Sequence, residues 1–466
     1  MPGTIGAGTG DEAGASTGGE PGSLRRTLTF RDLVVYGLLF IAPMAPVGIF
    51  GTLQAASHGA ITLVYVVATV AMAFTAYSYA QMVRVAPQAG SVYTYARVGL
   101  GEGAGFVAGW MAMLDYLLIP AVAYLFSGIA MHALVPSVHQ WVWTALAVAV
   151  TTLLNLWGVR VAAVVGFAVL ALEIAVLAVF VVAAVAELVA HGAQRGWAAP
   201  LTGEGGFSVH AVLSAVSVAV LSYLGFDAIA SFAEEASGGT TRVARAVITC
   251  LVVAGVLFAV QTYLAALLAP MTAAELAAEP GEQGAAFYAT VDAAVGGWLH
   301  DLVAVSKAVG AAFAALAGQA AAGRLLFAMA RDRRLPGALS KVDAGSGVPR
   351  RALLGAALVT LVAAVWAARR GDGLDQLSSI VNVGALTAFA LLHASVIGWF
   401  CFRGRSGVPS VPRHVVVPLL GLAVVVAVIA EASAAARTVG AAWLAVGLVV
   451  LAVQYGGRAR GRAARD

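Results

Sequence analysis

The strongest constraint on this chain is a series of apolar runs, each long enough to cross a lipid bilayer. The hydrocarbon core of a bilayer is about 30 Å thick, and a helix needs about 20 residues to cross it. Twelve such runs lie near residues 33–56, 60–83, 103–134, 139–157, 161–190, 209–234, 244–269, 298–322, 351–368, 376–402, 413–431 and 438–455. The sequence therefore predicts an all-α polytopic membrane protein with 12 transmembrane helices and both termini on one side.

The composition agrees with a membrane location and argues against several other classes of protein. Hydrophobic residues make up 61% of the chain and charged residues 11%, whereas soluble proteins carry about 25% charged residues. Cys250 and Cys401 each lie inside an apolar run, which indicates neither a disulfide framework nor a zinc site. The lipid bilayer is the expected partner, and no metal, cofactor or nucleic acid is expected to bind.

The basic residues predict the orientation. All but five of the 27 Lys and Arg residues lie in the termini or in loops on the same side as the termini; the five exceptions are Arg195, Lys307, Arg369, Arg370 and Arg437. Because cytoplasmic loops are enriched in basic residues, the N- and C-termini of this multi-pass plasma-membrane protein are predicted to be cytoplasmic. Residues 1–30 are predicted to form a disordered cytoplasmic tail, and residues 456–466 a basic one.

Two of the apolar runs carry interruptions. In the first run, Phe40–Gly51 contains Pro43 and Pro46, which remove two backbone donors, so the helix is expected to break there. In the sixth run, Ser222–Asp227 places Gly225 beside an acid in the middle of the run. Paired interruptions in the two halves of a chain mark the binding site of inverted-repeat transporters. The sequence therefore predicts a transport site between the first and sixth helices.

Four ionisable residues stand out well inside the predicted spans: Asp115, Glu173, Asp227 and Lys307. A charge at the bilayer centre costs at least about 2.5–3.5 kcal/mol, so each is a functional candidate. Asp115 is predicted either to face the ammonium group of a substrate or to hydrogen-bond a neighbouring helix. Asp227 is interpreted as a cap and gate for the lower half of the broken helix, where free N–H groups await an acceptor. Lys307 and Glu173 form either a static salt bridge or a pair that switches with protonation.

Four motifs spread along the chain resemble those of the amino acid–polyamine–organocation (APC) superfamily of secondary transporters. They are AP-QAGS-Y-Y at Ala86–Tyr95, GFVAGWMAMLDYLLIP at Gly105–Pro120, SYLGFDAIASFAEEA at Ser222–Ala236 and GRLLFAMARDRRLP at Gly323–Pro336. The resemblance implies a LeuT-like five-plus-five inverted repeat, with broken first and sixth helices. Residues 31–190 would be the first repeat, residues 209–402 the second, and residues 413–455 two additional helices.

The first helix departs from the pattern of the amino acid carriers in this family. Those carriers usually have a Gly-rich break whose N–H groups cradle a substrate carboxylate, whereas here Pro43 and Pro46 lack a donor. The stretch at the first break, together with LDYLLIP in the third helix, looks more like the putrescine-importer branch. The three intramembrane acids against one base also suit a cationic substrate or a proton.

The resemblance and the breaks together define the predicted site. Residues predicted to bind substrate are Ile41, Ala42, Pro43, Met44, Ala45, Gly48, Asp115, Tyr116, Tyr223, Gly225, Phe226 and Asn382. Residues predicted to act in coupling or gating are Asp227, Lys307 and Glu173.

The predicted function is secondary active import of a small amine or polyamine such as putrescine, coupled to protons, by alternating access. The alternative substrate is a neutral or basic amino acid, and the alternative coupling ion is sodium. Enzyme activity is not expected: an intramembrane aspartyl protease would need Tyr-Asp and Gly-x-Gly-Asp, and this chain has Asp-Tyr and Gly-Phe-Asp. A sensor that does not transport would usually carry a large soluble output segment, and no such segment is evident in the sequence.

Overall fold

The computed structural model is built almost entirely from helices, which confirms the predicted all-α class. It describes residues 28–88, 90–157, 159–343, 349–370, 373–404, 409–432 and 434–463. Within these ranges, the one strand-like feature is an isolated parallel bridge between Leu28 and Ala236. Residues 1–27 of the predicted N-terminal tail and the last three residues of the predicted C-terminal tail lie outside the described ranges.

Eleven helices in the described ranges are long and apolar enough to cross a membrane. The twelfth predicted segment is the 18-residue helix Gln140–Trp157, which contains the polar residues Gln140 and Asn155. We number these membrane helices 1 to 12 in chain order. They are Phe30–Ala56, Ile61–Val85, Glu102–Leu134, Gln140–Trp157, Val159–His191, Val209–Phe232, Thr240–Leu268, Gly297–Arg331, Arg350–Ala368, Gly373–Ile397, Val417–Glu431 and Ala434–Ala463.

Both predicted breaks are present. Helix 1 is α-helical over Phe30–Ile41 (helix 1a), forms a 3₁₀ turn at Ala45–Ile49 and resumes over Phe50–Ala56 (helix 1b). Helix 6 is α-helical over Val209–Ala219 (helix 6a) and continues after its break as a 3₁₀ helix over Phe226–Phe232 (helix 6b). The broken first and sixth helices predicted from the sequence are therefore confirmed.

Helix 3 lies at the centre of the bundle. Of its most apolar 18 residues, 78% are buried, against 22% in helix 11 and 17% in helix 12. Helices 8, 9 and 10 all pack against helix 3. Helix 12 is held to it by Trp110 and Trp443, whose rings stack 4.8 Å apart and whose indole N–H groups each donate to the other's backbone carbonyl at 2.8 Å. Helix 3 is therefore a central wall of the bundle.

The loop between helices 2 and 3 contains the short helix Ser91–Leu100. Its residues Tyr93 and Tyr95 are buried in the bundle. The Tyr93 hydroxyl donates to Asp332 at 2.7 Å, and Arg97 lies 2.5 Å from the same carboxylate. Burial and the Asp332 carboxylate raise the pKa of Tyr93. These contacts fasten the loop to the end of helix 8.

Candidate functional site

The break in helix 1 turns backbone carbonyl groups towards two neighbouring helices. Helix 1a ends at Ile41, and the next residue, Ala42, has a positive φ of 61°. The Lys307 ammonium of helix 8 donates to the carbonyl oxygen of Met44 at 3.1 Å. The Gln261 amide of helix 7 donates to the carbonyl oxygen of Pro43 at 2.9 Å. Side chains thus replace the helical hydrogen bonds that the break removes.

Lys307 is buried, with 3% of its surface exposed. Its Nζ lies 5.0 Å from the centre of the Phe126 ring, over the ring face. Gly48 lies against the same ring, because a Cβ at position 48 would be 2.6 Å from it. The pocket around the ammonium is therefore formed by an aromatic ring and by the unwound backbone of helix 1.

Glu173 on helix 5 is fully buried and lies against Gly310, one turn from Lys307 on helix 8. Among the described residues, neither carboxylate oxygen of Glu173 has a hydrogen-bonding partner, and no ion pair within 4.0 Å joins it to Lys307. The two charges are close enough to interact electrostatically. Of the alternatives left open by the sequence, a static hydrogen-bonded salt bridge is not the arrangement seen.

The break in helix 6 depends on Gly225, whose φ of +116° is open to few other residues. Asp227 accepts hydrogen bonds from the Tyr116 hydroxyl at 2.5 Å, from the Tyr79 hydroxyl at 3.4 Å and from the Gly225 N–H at 3.3 Å. The carboxylate thus accepts an N–H of the break itself. Gly225 immediately precedes helix 6b, so this bond is of the capping kind predicted from the sequence, and the two tyrosine hydroxyl groups also join the break to helices 2 and 3.

Asp115 precedes Tyr116 on helix 3 and is 3% exposed. Its Oδ1 atom is buried without a hydrogen-bonding partner in the part of the chain that the structure describes. Asp115 and Asp227 lie near enough for their charges to interact. Two acids and two tyrosine hydroxyl groups, Tyr79 and Tyr116, therefore form one buried polar cluster beside the second break.

Three other predicted site residues contact neighbouring helices. The Tyr223 hydroxyl shares a hydrogen bond with Thr69 at 2.7 Å and donates to the Tyr65 carbonyl at 3.0 Å. Phe226 packs edge-on against Tyr79, with ring centres 6.0 Å apart. Asn382 donates from Nδ2 to the Ser217 carbonyl of helix 6a at 3.0 Å.

An apolar cavity lies beside the first break. We call it the upper cavity. Of the predicted site residues, Ile41, Ala42, Ala45 and Lys307 line it, and the other eleven do not. Among the described residues in its wall, Lys307 carries the one charge and Ser222 the one other polar side chain. The remaining lining residues are Phe40, Ile49, Ile119, Pro120, Val122, Ala123, Phe126, Leu221, Leu224, Ala311, Ala314 and Ala315.

Sequence reasoning missed much of this wall. Phe126, Ile119 and Ala311 carry no polarity that distinguishes them from lipid-facing residues, so no sequence signal marks them. Gln261 had a signal, because a polar side chain inside an apolar helix usually hydrogen-bonds another helix. The same rule that singled out the four charged residues would have found it.

The architecture and the comparisons with known proteins agree on the class of protein. Broken membrane helices beside a cavity are typical of solute transporters, and residues 33–406 match the amino acid permease family. The chain belongs to that family, within the APC superfamily predicted from the sequence motifs.

Several relatives cover most of both chains. The low-affinity putrescine importer PlaP of Escherichia coli is 28% identical over 92% of this chain and 93% of its own. The branched-chain amino acid permease BcaP of Bacillus subtilis is 29% identical over 82% of each chain. The methylthioribose transporter of Bacillus subtilis is 27% identical over 80% of this chain and 81% of its own. This protein is therefore a multi-pass membrane transporter of small molecules.

Proposed function

We propose that this permease imports a small amino acid with an apolar side chain across the plasma membrane, with its termini in the cytoplasm. One observation carries the proposal: the upper cavity combines an apolar wall with a single cation, Lys307, at the break in helix 1. The five-plus-five repeat, with rocking of helices 1, 2, 6 and 7 against the others, would expose this cavity to each side in turn.

The charges around the cavity favour a zwitterion. An ammonium group has three donors, and Lys307 donates one hydrogen bond, to Met44, in the described structure. The other donors could therefore bind a substrate carboxylate. The carbonyl end of helix 1a carries the negative end of a helix dipole, which suits a substrate ammonium group. A diamine would bring a second cation beside Lys307, and two such charges 4 Å apart repel by about 4 kcal/mol at an effective dielectric constant of about 20.

Proton coupling is part of the proposal, and Lys307 with Glu173 is the pair that supports it. The Glu173 carboxylate is buried without hydrogen bonds in the described structure, and the nearby Lys307 supports the first break through Met44. A proton that arrives at Glu173 would remove the countercharge of Lys307 and so alter its hold on the break. Sodium is the rival coupling ion, and imposed gradients of each ion separate the two.

A second candidate function is import of an amine such as putrescine, as the sequence first suggests. It is supported by the acids of the polar cluster, because Asp115 lies one helical turn from Ile119, which lines the upper cavity. Similarity over 92% of this chain to a relative described as a putrescine importer also supports it. In this case the ammonium group would have to reach Asp115, which does not line the cavity in the present conformation.

The two candidates are separated by uptake into proteoliposomes that contain the purified protein, under an inward proton gradient. Labelled leucine and labelled putrescine are offered in turn, each against a panel of competing amines and amino acids. We expect leucine uptake that other apolar amino acids inhibit and putrescine does not. Putrescine uptake that Asp115→Asn abolishes, without leucine uptake, would overturn the proposal in favour of the amine.

A further inference from the structure

A second cavity lies on the other side of both breaks from the upper cavity. It is bounded by helices 1a, 4, 6b and 8. We call it the lower cavity. Its wall includes Asn155, Ala228 and Ala320. Because helices 1a and 6b both extend from the breaks towards the side of the N-terminus, the lower cavity is nearer to that side than the upper cavity is.

Among the described lining residues, Phe40 is the one that the two cavities share. It is the second-last residue of helix 1a and is 6% exposed. The cavities therefore meet at one aromatic side chain, directly before the break in helix 1.

The Phe40 ring lies between two glycines. A Cβ at Gly225 would be 2.8 Å from its Cγ atom, and a Cβ at Gly318 would be 2.7 Å from its Cε2 atom. These distances are well below van der Waals contact, so a larger residue at either position would displace the ring. Gly225 belongs to the broken helix 6, and Gly318 belongs to helix 8. The ring is thus in contact with both parts of the bundle that the proposed transport cycle would move apart.

Charged and aromatic contacts border the lower cavity. Arg324 forms an ion pair with Glu235 at 3.2 Å, and its guanidinium lies 4.4 Å from the centre of the Phe232 ring. The Tyr36 ring stacks on the Phe232 ring, with the two ring centres 5.4 Å apart. A solute that passed Phe40 would therefore meet these contacts before it reached the aqueous phase.

We propose that the lower cavity is a second compartment for the transported solute, and that the Phe40 ring is the gate between the two compartments. The inference rests on the proposed transport role of the upper cavity. The occupant is the same small solute in transit, since the lower cavity is apolar apart from Tyr36, Asn155 and Arg324. Arg324 is already engaged by Glu235, so it is not expected to retain the solute.

The test is thiol accessibility in a background where Cys250 and Cys401 are replaced by alanine. Ala320→Cys reports on the lower cavity and Ala314→Cys on the upper one, and both lie on helix 8. A membrane-impermeant methanethiosulfonate reagent, in cationic and anionic forms, is applied to one side of sealed vesicles at a time. With Phe40 present, Ala320→Cys should react from the N-terminal side alone.

Phe40→Ala should make Ala320→Cys react from the opposite side at least about tenfold faster, a change of about 1.4 kcal/mol in the barrier. With Phe40→Leu, which keeps a bulky side chain, Ala320→Cys should react from that side near the parent rate. The reaction of Ala314→Cys from that side should not change with Phe40→Ala. The proposed gate is contradicted if Ala320→Cys reacts from both sides with Phe40 present, or if it still reacts from the N-terminal side alone after Phe40→Ala. Failure of the amino acid proposal would appear separately, as absent uptake with this labelling pattern intact.

A second variant tests the glycine that faces the ring. Gly318→Ala should slow substrate exchange several-fold, because its methyl group would meet the Phe40 ring, and Phe40→Leu should restore part of the lost rate. Exchange by Gly318→Ala at the parent rate would contradict a moving ring at this position.

Discussion

The two breaks solve the same problem with opposite charges. At the first break, helix 1a ends and leaves carbonyl oxygens, which are met by the donors of Lys307 and Gln261. At the second break, an N–H group is left at Gly225, and it is met by the carboxylate of Asp227. A helix carries partial negative charge at its C-terminal end and partial positive charge at its N-terminal end. Each break is therefore contacted by a charged side chain whose sign is opposite to the partial charge of the exposed helix end.

The difference matters for transport because only one of these charges reaches the upper cavity. Lys307 lines the cavity, whereas Asp227 is held away from it by Tyr116 and Tyr79. The first break therefore offers a charge to a solute, and the second break uses its charge to hold three helices together.

The largest effect is expected at the first break, from Lys307→Ala. This change removes the donor to Met44 and leaves Glu173 as a buried acid without its nearby cation. Removing one partner of a buried charge pair costs about 3–5 kcal/mol, so the free energy of unfolding should fall by about that amount. Thermal unfolding in detergent measures it, and uptake should also be lost.

The matched control is the double variant Lys307→Ala with Glu173→Gln. It removes the orphaned charge and should recover part of the stability, without recovering uptake. If the double variant is as unstable as Lys307→Ala alone, Glu173 is not the partner of Lys307.

At the second break, Asp227→Asn should lower the free energy of unfolding by about 1.5–3 kcal/mol. The carboxylate accepts three hydrogen bonds in the described structure, and asparagine keeps one acceptor oxygen. The expected loss is therefore that of about one bond to a charged group. Tyr116→Phe removes one of these bonds alone and should cost less. Equal losses for the two variants would show that the Tyr116 bond accounts for the whole contribution of Asp227.

Gly225→Ala should cost about 1–3 kcal/mol, because alanine is strained at a φ of +116°. Its Cβ would also displace the Phe40 ring. Gly355→Ala on helix 9 is the control, since nothing lies within 4 Å of its added Cβ and its backbone is helical. Thermal unfolding should separate the two, and a Gly225→Ala protein as stable as the control would contradict the strained conformation.

The smallest effect is expected from Gln261→Leu, which removes the second donor to the first break. Hydrogen bonds between membrane helices contribute about 0.6 kcal/mol on average, so unfolding should shift by roughly that amount. A loss as large as that of Lys307→Ala would mean that the amide, rather than the ammonium, supports the break.

The sequence predicted the fold well and the cavity wall poorly. Pro43, Pro46 and Gly225 act on their own backbone, so the breaks could be located without any tertiary information. The upper cavity instead includes Phe126 and Ala311, whose positions depend on how helices 3 and 8 are rotated. A helix that is apolar on all sides has no polar face to indicate its rotation.

What the sequence determined by itself was therefore local: long apolar runs that must be helical in lipid, two interruptions, and four charges that lipid would not tolerate without a role. Tertiary structure decided which of those charges faces a solute. Lys307 and Asp115 are alike in the sequence, as charges within apolar stretches, yet one lines the upper cavity and the other lies in the polar cluster. The reason is physical, since hydropathy depends on composition along a helix, whereas the direction of a side chain depends on the helices that pack around it.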